Sequence, residues 1–555
     1  MAKLTPLAKG LIAVTILAVT GAAAWHLALR DMVFGSGDDA GTPTAGTPDP
    51  KPLGGLFGSK PSGPLGSDGN PLKVSIVSFH GYAPALVANG NSLKTKPGST
   101  FADLGLNVEL VIQDDIPTLA TIFESGSAQC AWRTSDFWAQ EQPNLRNAGL
   151  DGRAVMIVDN TQGADAIIAK DPGVQKVEDL AGKSVALLQF TPSHGMVIDA
   201  IENSSLSARK KQSVKLVYVN AEEGTAGVRA MLEGGHVDAA ALWDPDLSLA
   251  VKNVPGTHVV YSTKTATNLI YDVIVCDKRV LDDPANEPAI GKLVEGWMKG
   301  VDQAEADPDN AVEALVSTEE FFALLAKDEG KPFVKGLFDT LVWTGVEDNA
   351  RILGLAGGTN HYARVYKRFD GIYRAAGALA NPNSPVIDPA ESIELKYVQA
   401  LLTKDAAAQE KAKEPEFTFS DTEREKAQKN EAIVTRPVTV NFASGSADLT
   451  KRAERTIDEE MVPMIENLGS AYFEVSGNTD STGGRQANLA LSQRRANAVV
   501  DYLVGQWEFP RERFKVVGNG PDAPLCNEKD PSAEGVDLEQ CQQMNRSTRL
   551  AVYSR

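Results

Sequence analysis

The chain of 555 residues carries 73 acidic against 54 basic side chains, a net charge of −19 with histidine neutral, and is 43% hydrophobic. That apolar share can fill cores over about three or four domain lengths. The acidic balance argues against nucleic acid, whose phosphates need a basic footprint, and fits poorly with anionic lipid headgroups.

The N-terminal run GLIAVTILAVTGAAAWHLAL, residues 10–29, is uncharged and apolar, with Lys3 and Lys9 ahead of it. About twenty such residues suffice to cross a bilayer as a helix, and the lysines hold the N-terminus inside. The expectation is a cytoplasmic segment over 1–9 and a transmembrane signal anchor over 10–30. This would make a single-pass inner-membrane protein with its C-terminal region in the periplasm. The alternative is a leader cleaved near Ala22-Ala23-Ala24, leaving a soluble periplasmic protein. No cysteine lies near this run, which argues against a lipid-modified start. Residues 31–72 are mostly Gly, Pro, Ser, Thr and Asp. They cannot bury enough apolar surface to offset ordering entropy and read as a disordered linker.

From 73 to 402, strand-like runs alternate with helical ones. KVSIVSF, NVELVIQ, SAQCAWR, VMIVDN, DAIIAK, KSVALLQ, VKLVYVN, VDAAALW and YDVIVCDK follow in order. This is the rhythm of a parallel-sheet α/β protein. DAIIAK reads as a crossover into a second lobe and YDVIVCDK as the return. Residues 285–402 read as helical scaffold. Ligands of such folds sit beyond the carboxyl ends of the strands. The candidate solute contacts are therefore loop residues: Ser78, His80, Gly81 and Tyr82; Thr134, Ser135 and Asp136; Gly163 and Asp165; Thr191, Ser193 and His194; Trp243, Asp244 and Asp272. Thr191-Pro192-Ser193 reads as a helix N-cap, where free amides favour an anion. The many acids at these loop ends sit awkwardly with a strongly anionic ligand, so the charge of the solute stays open.

Several segments of this region, in order, resemble the periplasmic solute-binding proteins of the nitrate, sulfonate and taurine type. They are SFHGYAPAL, LATIFESGSAQCAWRTSDF, GVQKVEDLAGKSVALLQFTPSHGMV and AMLEGGHVDAAALWDPDL. The resemblance implies a two-lobed, type II-like periplasmic-binding-protein fold that closes on a small polar solute. The family includes a thiamine-pyrimidine synthase branch, but its cysteine run is missing here. Cys130 and Cys276 read as strand-core residues, with their pairing undecided. G-x-S-x-G, H-E-x-x-H and G-x-x-x-x-G-K-[ST] are also absent, so no enzyme, cofactor or metal is expected.

Residues 403–435 are charged, Ala-rich and polar all round, and read as a partly helical linker. The remainder, 436–555, contains GNTDSTGGRQANLALSQRRA at 477–496. Asp480 lies in a turn, and Asn488 and Arg495, seven apart, share one face of the helix that follows. One carboxylate and one guanidinium facing a common pocket suit a zwitterion. The pattern T-D-x-x-G, then N-x-x-L-S-x-x-R-A, resembles the OmpA-like peptidoglycan-binding domain, a small α+β fold. There the two charges hold the diaminopimelate of the wall peptide. The resemblance implies peptidoglycan-binding roles for Asp480 and Arg495, with Thr479 and Asn488 beside them. Asn545 and Arg546 match the start of a terminal N-R motif. The chain departs from the family at Asn478, where the family has His, and at Ser547, where it has a second basic residue. Some relatives carry a disulfide where Cys526 and Cys541 lie here, and a close pair of this kind suits an oxidising compartment.

Together these readings describe an inner-membrane-tethered protein that binds peptidoglycan and a small polar solute. It would serve ABC-type uptake or sensing, with transporter membrane subunits as partners. The alternative is a ligand-less structural protein linking inner membrane and wall in an envelope complex.

Overall fold

A computed structural model describes residues 63–440, 442–443 and 445–555, apart from 116, 117 and 120. The expected anchor over 10–30 lies outside the described residues, and among those residues no helix is long and apolar enough to cross a membrane. At the end of the expected linker, residues 63–71 form a turn in which Gly66 N–H donates to Asn70 O, 2.7 Å away.

Three sheets organise the chain. The first lobe holds β1 (Leu72–Ile76), β2 (Val108–Ile112), β3 (Cys130–Thr134) and β4 (Gly152–Thr161). The second lobe holds β5 (Asp165–Ala169), β6 (Ser184–Leu188), β7 (Lys215–Val219), β8 (Ala239–Trp243) and β9 (His258–Ser262). The chain then returns to the first lobe with β10 (Tyr271–Asp277) and β11 (Leu341–Trp343). The strand orders are β11-β4-β10-β3-β1-β2 and β7-β6-β8-β5-β9. The lobes are therefore joined by two short crossovers, β4 to β5 and β9 to β10.

The sheets are mixed rather than all parallel. β10 runs antiparallel to β3 and β4, and β5 antiparallel to β8 and β9. A strand that enters a lobe from its neighbour starts at the cleft, where the lobe's own strands end, and so must point the other way. β11 interrupts the expected helical tail because the last residues of β4, Asp159 to Thr161, present an outer edge that it pairs. Cys130 and Cys276 face each other across β3 and β10 and are joined by a disulfide. The helical scaffold includes Glu287–Ala306 and His361–Ala375, whose inward faces bury Trp297, Tyr362, Tyr366, Phe369 and Tyr373.

The segment 403–435 is packed rather than free. It forms helices Ala406–Lys411 and Asp421–Ala427, with Ala408, Ala412 and Ala427 buried. Small side chains let this otherwise polar stretch lie against its neighbours.

The third sheet, ordered β12-β15-β13-β14, comprises β12 (Val434–Val438), β13 (Tyr472–Asn478), β14 (Phe514–Gly520) and β15 (Thr548–Tyr553). Helix Arg485–Trp507 lies on it. Close approach is possible because Gly477 and Gly518 lack side chains; a Cβ on either would run into the helix backbone at Ser492 or Gln493. This small domain sits on the second lobe and on the β9–β10 crossover. Asn268 Nδ2 donates to Glu466 O (2.6 Å), Ser470 Oγ to Lys264 O (2.9 Å) and Thr435 N to Glu178 Oε1 (2.9 Å). Glu466 also pairs with Arg364.

Candidate functional sites

The facing ends of the lobes enclose a cavity of about 290 Å³, lined from the first lobe by Val77, Ser78, Asp114, Trp132 and Phe137. The second lobe contributes Thr191, Glu223–Ala226, Trp243 and Asp244, and the helical scaffold adds Phe321. A recess sharing Val77, Trp132, Pro192 and Trp243 runs to Phe79, Thr134, Thr161, Asp165 and Asp272. Val77, Ser78 and Asp244 reach the cleft just past the ends of their strands, and Trp243 and Thr134 at the ends of theirs, whereas Phe137, Gly224–Ala226 and Phe321 reach it from helices.

Of the expected contacts, the structure brings Ser78, Thr134, Asp165, Thr191, Trp243, Asp244 and Asp272 to this cavity or its recess. The others do not line it. Tyr82 stands behind Asp272, and its hydroxyl donates to Asp272 Oδ2 at 2.9 Å. His80 is buried against Thr340, and desolvation lowers its pKa to about 3. His194 accepts from Phe190 N–H at 3.2 Å and is likewise held neutral by burial, at about 4. Ser135 Oγ accepts from Tyr271 N–H. Thr191 caps helix Pro192–Glu202 without a side-chain bond to its amides; its hydroxyl donates back to Leu188 O at 2.8 Å. Ser193 is buried with an unpaired hydroxyl. Gly81 is required by packing, since a Cβ there would overlap Asp159 Oδ2.

Trp132 and Phe79 are the main lining residues not anticipated. Apolar residues in or just after a strand read as core in sequence. Here Trp132 is partly exposed to the cleft while its strand neighbours are buried, and its Nε1 donates to Asp272 Oδ2 at 3.0 Å. Asp159, within β4, was equally hidden.

Acids dominate the cleft. Asp136, Asp159, Asp165, Asp244 and Asp272 are all buried. Desolvation and mutual repulsion push Asp159 and Asp165 far above the usual carboxylate range. Desolvation leads in holding Asp272 and Asp136 at about 7 and Asp244 at about 6.

In the C-terminal domain, Asp480 is buried just past β13. Its Oδ2 accepts from Arg546 Nη1 at 2.9 Å and its Oδ1 from Thr482 N–H at 3.0 Å. Arg495 makes no ion pair with Asp480 among the described residues. Its Nε donates to Ser446 O at 3.0 Å and its Nη2 to Ala443 O, with the guanidinium over Phe442. Desolvation, with Arg494 and Arg546 nearby, lowers the pKa of Arg495, and Asp480 partly opposes this. Asn488 donates to Thr482 O at 3.0 Å and braces the turn. Thr479 is buried, its N–H bonded to Gly520 O. Asn545 is also buried, and its amide clasps the loop at Leu525, Cys526 and Glu528. It faces that loop, which the disulfide Cys526–Cys541 closes.

Comparison with known proteins fits this architecture. The NMT1/THI5-like family matches residues 100–311 and the OmpA family residues 441–536. The latter span includes Asp480, Asn488 and Arg495 but ends before Asn545 and Arg546. The peptidoglycan-associated lipoprotein of Pseudomonas putida is 35% identical over 100 residues, covering 18% of this chain and 58% of that protein. The probable lipoprotein YiaD of Escherichia coli strain K12 is 35% identical over 103 residues, covering 19% and 45%. The chain thus spans about half the length of these relatives. Among solved structures, the periplasmic aliphatic sulphonate binding protein from Escherichia coli is similar at 16% identity and TM-score 0.45, covering 60% of this chain and 98% of that one.

The expectation of a single-pass inner-membrane protein is corrected. No helix among the described residues can span a bilayer, and the relatives matched by the C-terminal domain are named as lipoproteins. The family resemblances read from the sequence are borne out: the chain carries an NMT1/THI5-like domain of periplasmic-binding-protein fold and, at its C-terminus, a domain of the OmpA family.

Proposed function

We propose that this protein is an envelope-associated solute-binding protein. Its OmpA domain holds peptidoglycan, and its two lobes capture a small polar solute for uptake or sensing. The observation that carries the solute reading is the cavity built from both lobes at their strand ends, the place where hinge closure would enclose a ligand.

For the wall, Asp480 receives the ammonium of the stem-peptide diaminopimelate, and Arg495 and Arg546 receive its carboxylate. The Asp480–Arg546 pair does not block this. The Arg546 side chain is 46% exposed, and ion pairs open to water are worth little, so a zwitterion can exchange with it.

Sedimentation with purified sacculi tests the wall reading. Asp480→Ala and Arg495→Ala should each cut the bound fraction about tenfold or more, with circular dichroism unchanged. Full retention by both variants would refute it. Thermal melting of the full chain against a solute panel tests capture, since a ligand bound only by the folded state raises Tm. No shift with any solute would favour a structural link to the wall instead.

A further inference from the structure

We propose that the interlobe cleft takes a small organic cation, an amine, guanidine or quaternary ammonium compound. Its charged group sits against Asp165 and Asp272 and its apolar body between Trp132 and Trp243. This rests on the solute-binding reading above and assigns its ligand class.

Among the described residues the cavity and its recess are lined by six acids, Asp114, Asp165, Glu223, Asp244, Asp246 and Asp272, and by no lysine, arginine or histidine. Some of these charges already have partners. Asp246 pairs with Arg229 at 3.0 Å, and Asp114 accepts from the N–H and hydroxyl of Ser78 at 2.7 and 2.8 Å. Among the described residues the recess acids pair with no cation. Asp272 accepts only the neutral donors Tyr82 and Trp132. Asp165 is 4% exposed, and its carboxylate accepts no hydrogen bond of ordinary geometry among the described residues. The hydroxyls of Thr134 and Thr161, 3% and 2% exposed, also line the recess and also lack partners. Arg133 is next to Trp132 in sequence, but it is wholly buried and held by Glu141 and the Leu119 carbonyl.

Unpartnered buried polar groups facing a cleft are unfavourable unless water or a ligand meets them there. A cation answers the carboxylates and offsets the desolvation and the mutual repulsion that raise the pKa of Asp165 and Asp272. An anion would add to that repulsion. The N-terminus of helix Pro192–Glu202 touches the cavity, but the amides of His194 and Gly195 already bond to Thr191 O, and a helix end carries only about half a charge.

Two observations favour an organic cation over a metal ion. Among the described residues no three His, Cys, Asp or Glu side chains converge as a metal site. The walls of the recess are indole and phenyl rings, whose faces attract ammonium and guanidinium groups.

The test uses the full chain at pH 8. Agmatine, choline and putrescine are compared with ethanesulfonate, nitrate and uncharged glycerol by thermal melting and calorimetry. Protein purified without additives is also assayed by native mass spectrometry for a copurifying compound. At least one cation should raise Tm by about 3 °C or more, with affinity falling as salt rises. Asp165→Asn and Asp272→Asn should each weaken that binding about tenfold or more. Because asparagine matches the buried carboxyl in shape and cannot ionise, neither should lower the Tm of the ligand-free protein, so lost binding is not lost folding. Binding of ethanesulfonate, nitrate or glycerol without any cation would overturn the inference and leave solute capture standing, as would a copurifying compound with no positive group. No binding by any probe and no copurifying compound would overturn both.

Discussion

Asp136 shows how a single buried carboxyl makes folding stability depend on pH. It is fully buried, and neither oxygen accepts a hydrogen bond of ordinary geometry, although Thr134 and Tyr373 lie close. Asp165 and Asp272 face it from the other strands and feel its charge. Desolvation holds its pKa at about 7, whereas the unfolded chain releases that proton near about 4. Between those values the folded state holds more protons than the unfolded one. Stability therefore falls as pH rises from about 4 to about 7 and stays at the lower level above. Asp136→Asn should stabilise the protein by about 1–3 kcal/mol at pH 8 and leave it unchanged below pH 4. Urea unfolding at both pH values checks this; equal effects at the two would show that charge is not the cause.

At the scale of elements, the first lobe is closed by a strand that arrives 146 residues after the one it pairs. β10 slots between β3 and β4, and the Cys130–Cys276 disulfide ties it to β3. The covalent link spans the whole excursion through the second lobe. It restricts the unfolded chain strongly, and replacing both cysteines by alanine should cost about 2–4 kcal/mol. Denaturant midpoints of the double variant measure it. Both sulfurs are buried, so alkylation after brief reduction of the folded protein should be slow. The other disulfide, Cys526–Cys541, holds the loop before β15, and Asn545 reinforces the same loop. An asparagine that resembled a ligand contact in sequence thus finds its partners in backbone.

At the scale of the molecule, the C-terminal domain is seated on the solute-binding domain by polar contacts. The main lock is Glu466, which accepts from Arg364 and whose carbonyl receives Asn268 from the β9–β10 crossover. Glu466→Ala should loosen this seat and leave Arg364 without its partner. The 403–435 segment, packed beside it, should then be cut several-fold faster in limited proteolysis. An unchanged cleavage rate would show that apolar contacts alone hold the domains together.

The sequence determined by itself what rests on local pattern. It showed most strands of the two lobes in chain order and the return to the first lobe, because buried strands read as apolar runs, but not β9, β11 or the antiparallel pairings. It also showed the T-D-x-x-G turn with its N-x-x-L-S-x-x-R-A helix, because that spacing follows from helix geometry. Only the tertiary structure decided what depends on partners distant in the chain. It paired Asp480 with Arg546, 66 residues away, and Cys130 with Cys276. It moved His80, Ser135 and His194 out of the cavity and brought Trp132 to its wall. It also gathered the buried Asp165, Asp244 and Asp272 at one cleft, with no cation lining it among the described residues, because a cleft collects the ends of strands from both lobes and the balance of charge within it exists only once they meet.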